Sequence, residues 1–206
     1  RWETPYLEYQ DLAADDNNFV EEYSITYTRQ GAMDNTGEEL EKFISEANDL
    51  LSQHKGIPEY SKKGVHDALV LFDFRSHLYA PLISLTNESL KIQISPVSLN
   101  VDEMRFVDML KAYTEANAEK LANKSLYLLR NKSKVGMGFF EAGNFYPDYI
   151  LWIDTEDKQY ISFIDPKGLL HIRPDDPKVE FYKTIKELET RLEPTADGKT
   201  VVLNSF

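Results

Sequence analysis

The chain has 206 residues, 42% apolar and 12% aromatic, enough for one large domain or one domain with an appendage and too apolar for global disorder. It contains no cysteine, which excludes a disulfide scaffold and thiolate metal sites and fits a cytoplasmic protein. A net charge of −12 argues against a nucleic-acid partner for the chain as a whole, yet the excess is uneven: residues 1–60 hold 14 acids against 4 bases, and residues 61–206 hold 21 against 19.

No apolar run approaches the ~20 residues that span a bilayer, and no signal-peptide pattern opens the chain, so no membrane partner is expected. The first residues, "RWETPYLEYQ", read as the interior of a longer polypeptide. "NFVEEYSITYTRQ" (18–30) alternates and is rich in β-formers, which predicts a strand. Residues 36–53 place Leu40, Phe43, Ile44, Ala47 and Leu51 on one helical face, and Thr36 with Glu39 resembles a capping box. Residues 54–65, with Gly56 and Pro58, read as a polar loop. Strands follow over 68–74, 78–85 (interrupted at Pro81) and 90–96.

After Pro96 the organisation changes. Residues 100–121 predict a helix with Phe106, Met109, Leu110, Tyr113 and Ala116 on its stripe; Asn117 weakens the last turn. A strand over 125–131 leads into a Gly- and Lys-containing loop at 132–138, and "GFFEAGNF" (138–145) has no clear period. Residues 175–192 predict a second helix. Asp176 stands at its N-cap and Pro177 at its first position, with Tyr182, Ile185, Leu188 and Leu192 as the apolar face. A strand over 200–206 closes the chain. Helix, strands, helix, strand is the order of a mixed α/β architecture.

Two strand-like runs, 148–154 and 159–165, flank the loop Thr155-Glu156-Asp157-Lys158. Pairing Asp154 with Gln159 puts Trp152 opposite Ile161, Ile150 opposite Phe163 and Asp148 opposite Asp165, with the two acids' Cβ atoms ~5 Å apart. Lys167 follows on the same face if the strand continues. Both faces of this hairpin are apolar, as in central strands covered on both sides. Two carboxylates at the end of such a layer repel, so either one takes up a proton or a cation sits between them. Oxygen-only ligands favour Mg²⁺ or Mn²⁺ over zinc. An adjacent ammonium can hold a nucleophilic water or offset charge growing on a phosphate. Together they suit water attack on a phosphodiester. A purely structural reading also exists: Asp-Pro starts turns, Asp148 caps a loop and Lys167 is surface charge.

Residues 120–134 carry five bases and no acid. Of these, Lys124, Arg130, Lys132 and Lys134 are candidates to meet DNA phosphates, or else form a solvated basic edge. Glu141 is a further outer-ligand candidate and His171 a phosphate contact, although each is more simply an exposed side chain. Tyr127 and Trp152 read as core rather than as base-stacking platforms. Glycan-acceptor triplets, including Asn131-Lys132-Ser133, carry no weight without a secretion signal.

"PDYILWI" followed by "YISFIDPKG", and preceded by "LYLLRN" and "DEMRFVDML", resembles the carboxy-terminal nuclease domain of the Res subunit of Type III restriction enzymes and related helicase–nuclease proteins. That module is a PD-(D/E)XK nuclease. The resemblance covers roughly 78–206, including "HLYAPL" and "SPVSLN", and is strongest over 145–168. It implies a restriction-endonuclease-like core, a mixed β-sheet flanked by helices, with residues 1–77 as an acidic α+β connecting module. It implies that Asp148 and Asp165 bind Mg²⁺ or Mn²⁺ and that Lys167 positions or activates the attacking water. Asp165 stands where the family often has Glu, which the (D/E) position accepts. Glu103 matches an outer metal contact, while Asn100 followed by Glu103 equally resembles a capping box.

The implied partners are DNA, the helicase/ATPase portion of the same longer chain, and a modification subunit. No GxxxxGK[ST] phosphate loop occurs, so ATP hydrolysis does not belong to these residues. Competing readings are a catalytically silent nuclease-like module that docks DNA or a subunit, and a retaining glycosidase. The glycosidase fits less well, because an adjacent lysine would depress the pKa of the acid it needs.

Overall fold

Alternation and helical period account for most elements of the structure, a computed structural model that describes residues 24–29, 31, 33–52, 60–63, 69–73, 82–85, 92–95, 98–131, 139, 145–166 and 177–206. The chain divides into two compact units, one of Val20–Tyr113 and one of Arg1–Phe19 with Thr114–Phe206. The sequence divides instead at 77/78. The difference has a simple cause: strands beyond residue 78 pair back to strands before it.

In the unit Val20–Tyr113, β1 (Ser24–Tyr27) pairs antiparallel with β5 (Ile92–Ser95). β2 (Tyr60–Lys63), β3 (Leu69–Asp73) and β4 (Leu82–Leu85) form an antiparallel sheet in that order. β2 falls in the stretch expected to be a polar loop. "YSKK" has little apolar signal, and its pairing comes from the backbone ladder that β3 offers to an edge strand. Helix α1 (Thr36–Ser52) buries Leu40. Its cap is one residue earlier than expected: Thr36 is already helical, and Asn35 donates its side-chain amide to Glu39 Oε1 at 3.2 Å.

Helix α2 (Val101–Ala116) ends at Asn117, whose φ of −119° separates it from the short α3 (Ala118–Leu121). Its buried positions are Glu103, Val107 and Leu110. Met109 and Tyr113, expected on the apolar stripe, are 71% and 56% exposed. The stripe is rotated by about one position, 100° of helix. Its apolar signal is diluted on every side, so the period leaves the phase open.

The other unit is built on a four-stranded mixed sheet in the order β6 (Ser125–Arg130), β7 (Tyr149–Asp154), β8 (Lys158–Ile164), β9 (Thr200–Ser205). β6–β7 and β7–β8 are antiparallel, and β8–β9 is parallel. A parallel pair needs a crossover, which contains α4 (Pro177–Glu189). The mixed α/β class is therefore as expected, and Pro177 opens α4 as expected.

Both faces of the central strands are buried. Tyr149, Ile150, Leu151, Ile161, Phe163 and Ile164 each have less than a tenth of their surface exposed. On the face of Ile150 and Phe163, an aromatic cluster joins sheet and helix. Phe139 meets Phe163 edge-on at 4.7 Å and Phe181 of α4 at 4.5 Å. Phe145 lies 5.4 Å from Phe181 and bonds Phe139 through both backbone groups. The buried face of α4 is Phe181, Ile185 and Leu188; Tyr182, expected there, is 54% exposed. Either neighbour fits the helical period, and phenylalanine buries without a hydroxyl to satisfy. Glu189 of α4 accepts the Leu203 N–H of β9 at 2.6 Å, which closes an edge donor of the sheet.

Candidate metal centre

The β7–β8 register is the one that the apolar alternation predicts, from Asp154↔Gln159 through Ile150↔Phe163 to Tyr149↔Ile164. Asp148 and Asp165 each lie one residue beyond the last pair, Tyr149↔Ile164. Each aspartate is still held by its outer neighbour. Asn131, following β6, donates its backbone N–H to Asp148 O at 2.8 Å. Asp165 donates its N–H to Phe206 O at 3.0 Å, and Phe206 donates to Phe163 O at 2.9 Å.

Proline explains why the ladder stops at this row. Pro147 precedes Asp148 and Pro166 follows Asp165, and neither has an N–H to extend the pairing. Pro147 is fully buried, while both aspartates are half-buried. The Asp148 Oδ2 atom itself is shielded from solvent. Two half-buried carboxylates therefore stand at the end of an apolar layer. Among the described residues no group of three or more His, Cys, Asp or Glu side chains gathers as a metal site. Two carboxylates are enough for Mg²⁺ or Mn²⁺, which fill their remaining positions with water and substrate phosphate.

Lys167, Lys132, Lys134, Glu141 and His171 lie outside the described residues. Glu103 forms a capping box at the start of α2. Its Oε2 accepts the Asn100 N–H at 2.7 Å, and Asn100 Oδ1 accepts from the N–H groups of Asp102 and Glu103, both at 2.9 Å. Those bonds establish the capping reading of Glu103 and account for a carboxylate that is only 6% exposed. Lys124 is exposed just before β6, and Arg130 is half-buried at its far end. Six residues of strand separate them by about 20 Å. Tyr127, expected in the core, is 43% exposed and stands opposite the half-buried Trp152.

The opposite end of the hairpin carries its own acid. Asp154, on the same face as Asp148, accepts from Lys199 Nζ at 2.6 Å, and Asp197 lies 3.4 Å from the same ammonium. The bond to Asp154 raises the Lys199 pKa above its ordinary value of 10.5. The turn is tied by Thr155, whose N–H donates to Lys158 O at 2.8 Å and whose hydroxyl oxygen accepts from Lys158 N at 3.0 Å.

One residue with a clear place at the centre escaped the sequence reading. Asn131 is 9% exposed and donates its side-chain amide to Pro147 O at 2.9 Å. Its position at the end of a strand was legible; its bond to a carbonyl 16 residues away was not.

No family model matches the chain, and comparison with curated proteins and with solved structures finds no match.

Proposed function

We propose that the chain is a divalent-metal-dependent DNA endonuclease domain of the PD-(D/E)XK kind, from a restriction or defence helicase–nuclease. The observation that supports this reading is the β7–β8 register, which ends one residue short of Asp148 and Asp165, where prolines stop the ladder. The four-stranded mixed sheet, with α4 packed on it, is the type of core that the motif resemblance implies.

In this reading Asp148 and Asp165 hold one Mg²⁺ or Mn²⁺, which supplies Lewis-acid polarisation of a phosphoryl oxygen and shields the charge on the phosphate. Lys167, two residues after Asp165, positions the attacking water. The water adds to phosphorus in line and loses a proton. The bond from phosphorus to the 3′ oxygen breaks, and that oxygen takes up a proton, leaving a 5′-phosphate and a 3′-hydroxyl. Arg130, paired with Tyr149, lies on the sheet face opposite that of Ile150, and Lys124 stands before the far end of β6, so each can reach only phosphates away from the scissile one. Glu103 serves α2 as its cap.

The test is calorimetric titration of the chain with Mn²⁺, together with nicking of supercoiled DNA in Mg²⁺. The wild-type chain is expected to bind Mn²⁺ and to leave 5′-phosphate ends. Failure to bind either ion replaces this reading with that of a silent module that docks DNA or a subunit.

A further inference from the structure

The two peptide planes on either side of the Asp148 Cα are held by one residue. Asn131 donates its side-chain amide to Pro147 O at 2.9 Å and its backbone N–H to Asp148 O at 2.8 Å. The first carbonyl belongs to the peptide before the Asp148 Cα and the second to the peptide after it. Fixing both planes sets φ and ψ at Asp148, and with them the direction of its Cα–Cβ bond.

This matters because Asp148 lies one step beyond the last β7–β8 pair. Pro147 cannot extend the ladder, so strand pairing alone does not secure the carbonyl before Asp148. The Asn131 amide supplies that missing restraint. It does so from a buried position, where a carbonyl left without a donor is costly. Asp165 needs no such device, because it continues the parallel ladder with β9 through Phe206.

From this we infer that Asn131 is a positioning residue that aims the Asp148 carboxylate across the sheet at Asp165, an inference that rests on the metal-dependent reading of those two acids. Asn131 touches neither metal nor substrate. It acts through the Pro147–Asp148 backbone, so its loss weakens metal affinity more than it loosens the fold.

The experiment is Mn²⁺ titration calorimetry on the 206-residue chain, with near-UV circular dichroism and thermal melting on the same samples. Asn131→Leu keeps the branch at Cγ, is somewhat larger and loses the donor; Asn131→Ala loses the donor and the branch. Leu188→Ala, in the α4 core away from the acids, is the control for general destabilisation. Both Asn131 variants are expected to bind Mn²⁺ about 10–100-fold more weakly while keeping the native near-UV spectrum. Leu188→Ala is expected to lower Tm and leave Mn²⁺ affinity unmoved. If Asn131→Ala does not fold, the branched Asn131→Leu decides. A folded Asn131→Leu chain that binds Mn²⁺ within about threefold of wild type overturns this inference and leaves the metal centre standing. A wild-type chain that binds no Mn²⁺ overturns both together.

Discussion

The two ends of the β7–β8 hairpin carry aspartates that are held in different ways. At the turn end Asp154 meets an ammonium of the chain itself, Lys199, at 2.6 Å. At the open end Asp148 and Asp165 stand one residue beyond the last pair, Asp148 held through its backbone by Asn131 and Asp165 by Phe206. The supports differ as well. Turn hydrogen bonds and the ion pair hold one end, and the Phe139–Phe145–Phe163–Phe181 cluster packs beside the other. An acid whose counter-charge comes from its own chain stabilises a fold. In the reading proposed above, the two acids at the open end would share a cation from outside.

The largest effect that can break this comparison is on metal binding. Asp148→Asn is expected to abolish measurable Mn²⁺ binding and to slow Mg²⁺-dependent nicking by about three orders of magnitude, or about 4 kcal/mol. Asp154→Asn, at the far end of the same strand, is expected to leave Mn²⁺ affinity within about threefold of wild type, since the first coordination shell is untouched. Equal losses in the two variants would erase the distinction between the ends.

Packing comes next. Phe181→Ala is expected to cost about 3–5 kcal/mol in urea unfolding, through the lost transfer energy and the cavity left among Phe139, Phe145 and Phe163. The adjacent Tyr182→Ala is expected to fall within about 0.5 kcal/mol of wild type, as an exposed position should. A large loss from Tyr182→Ala and a small one from Phe181→Ala would reverse the orientation of α4.

A backbone effect of smaller size concerns the turn that delivers Lys199. Gly198 has φ +85° and donates its N–H to Thr195 O at 2.8 Å. Nothing crowds its Cβ position, so Gly198→Ala pays only for the left-handed backbone, about 1 kcal/mol measured by thermal melting.

The smallest effect is the pH dependence of the Lys199 pair. Its pKa is raised in the folded chain by the hydrogen bond to Asp154, so the folded state holds the proton more tightly than the unfolded one. The pair's contribution is complete below the ordinary 10.5 and is lost as pH rises through the raised folded value. Melting curves of wild type and Lys199→Gln should therefore differ at neutral pH and converge as the pH rises through the raised folded value. A gap that persists there would assign the stability to packing of the lysine stem instead.

Much of this was legible in the residues themselves. The register of β7 with β8 followed from strand period, a four-residue turn and the need to bury Ile150, Ile161 and Phe163. Pro177 as a helix start was likewise a local signal, whereas the helix expected over 100–121 breaks at Asn117, where the sequence showed only a weakened last turn. The phases of α2 and α4 were less legible. A helical period says that a stripe exists, and where apolar residues sit side by side it does not say which one faces the core, as Phe181 and Tyr182 show. Strand β2 was invisible because its stability comes from β3, not from its own composition.

The sequence by itself therefore determined the hairpin and its register, since both arise from neighbours a few residues apart and from the alternation of a pleated strand. Tertiary structure decided what surrounds them. It brought Lys199 to Asp154 across 45 residues and the Asn131 amide to Pro147 across 16, and it chose Phe181 over Tyr182. Those outcomes depend on which chain segments meet in space, and no local period encodes that.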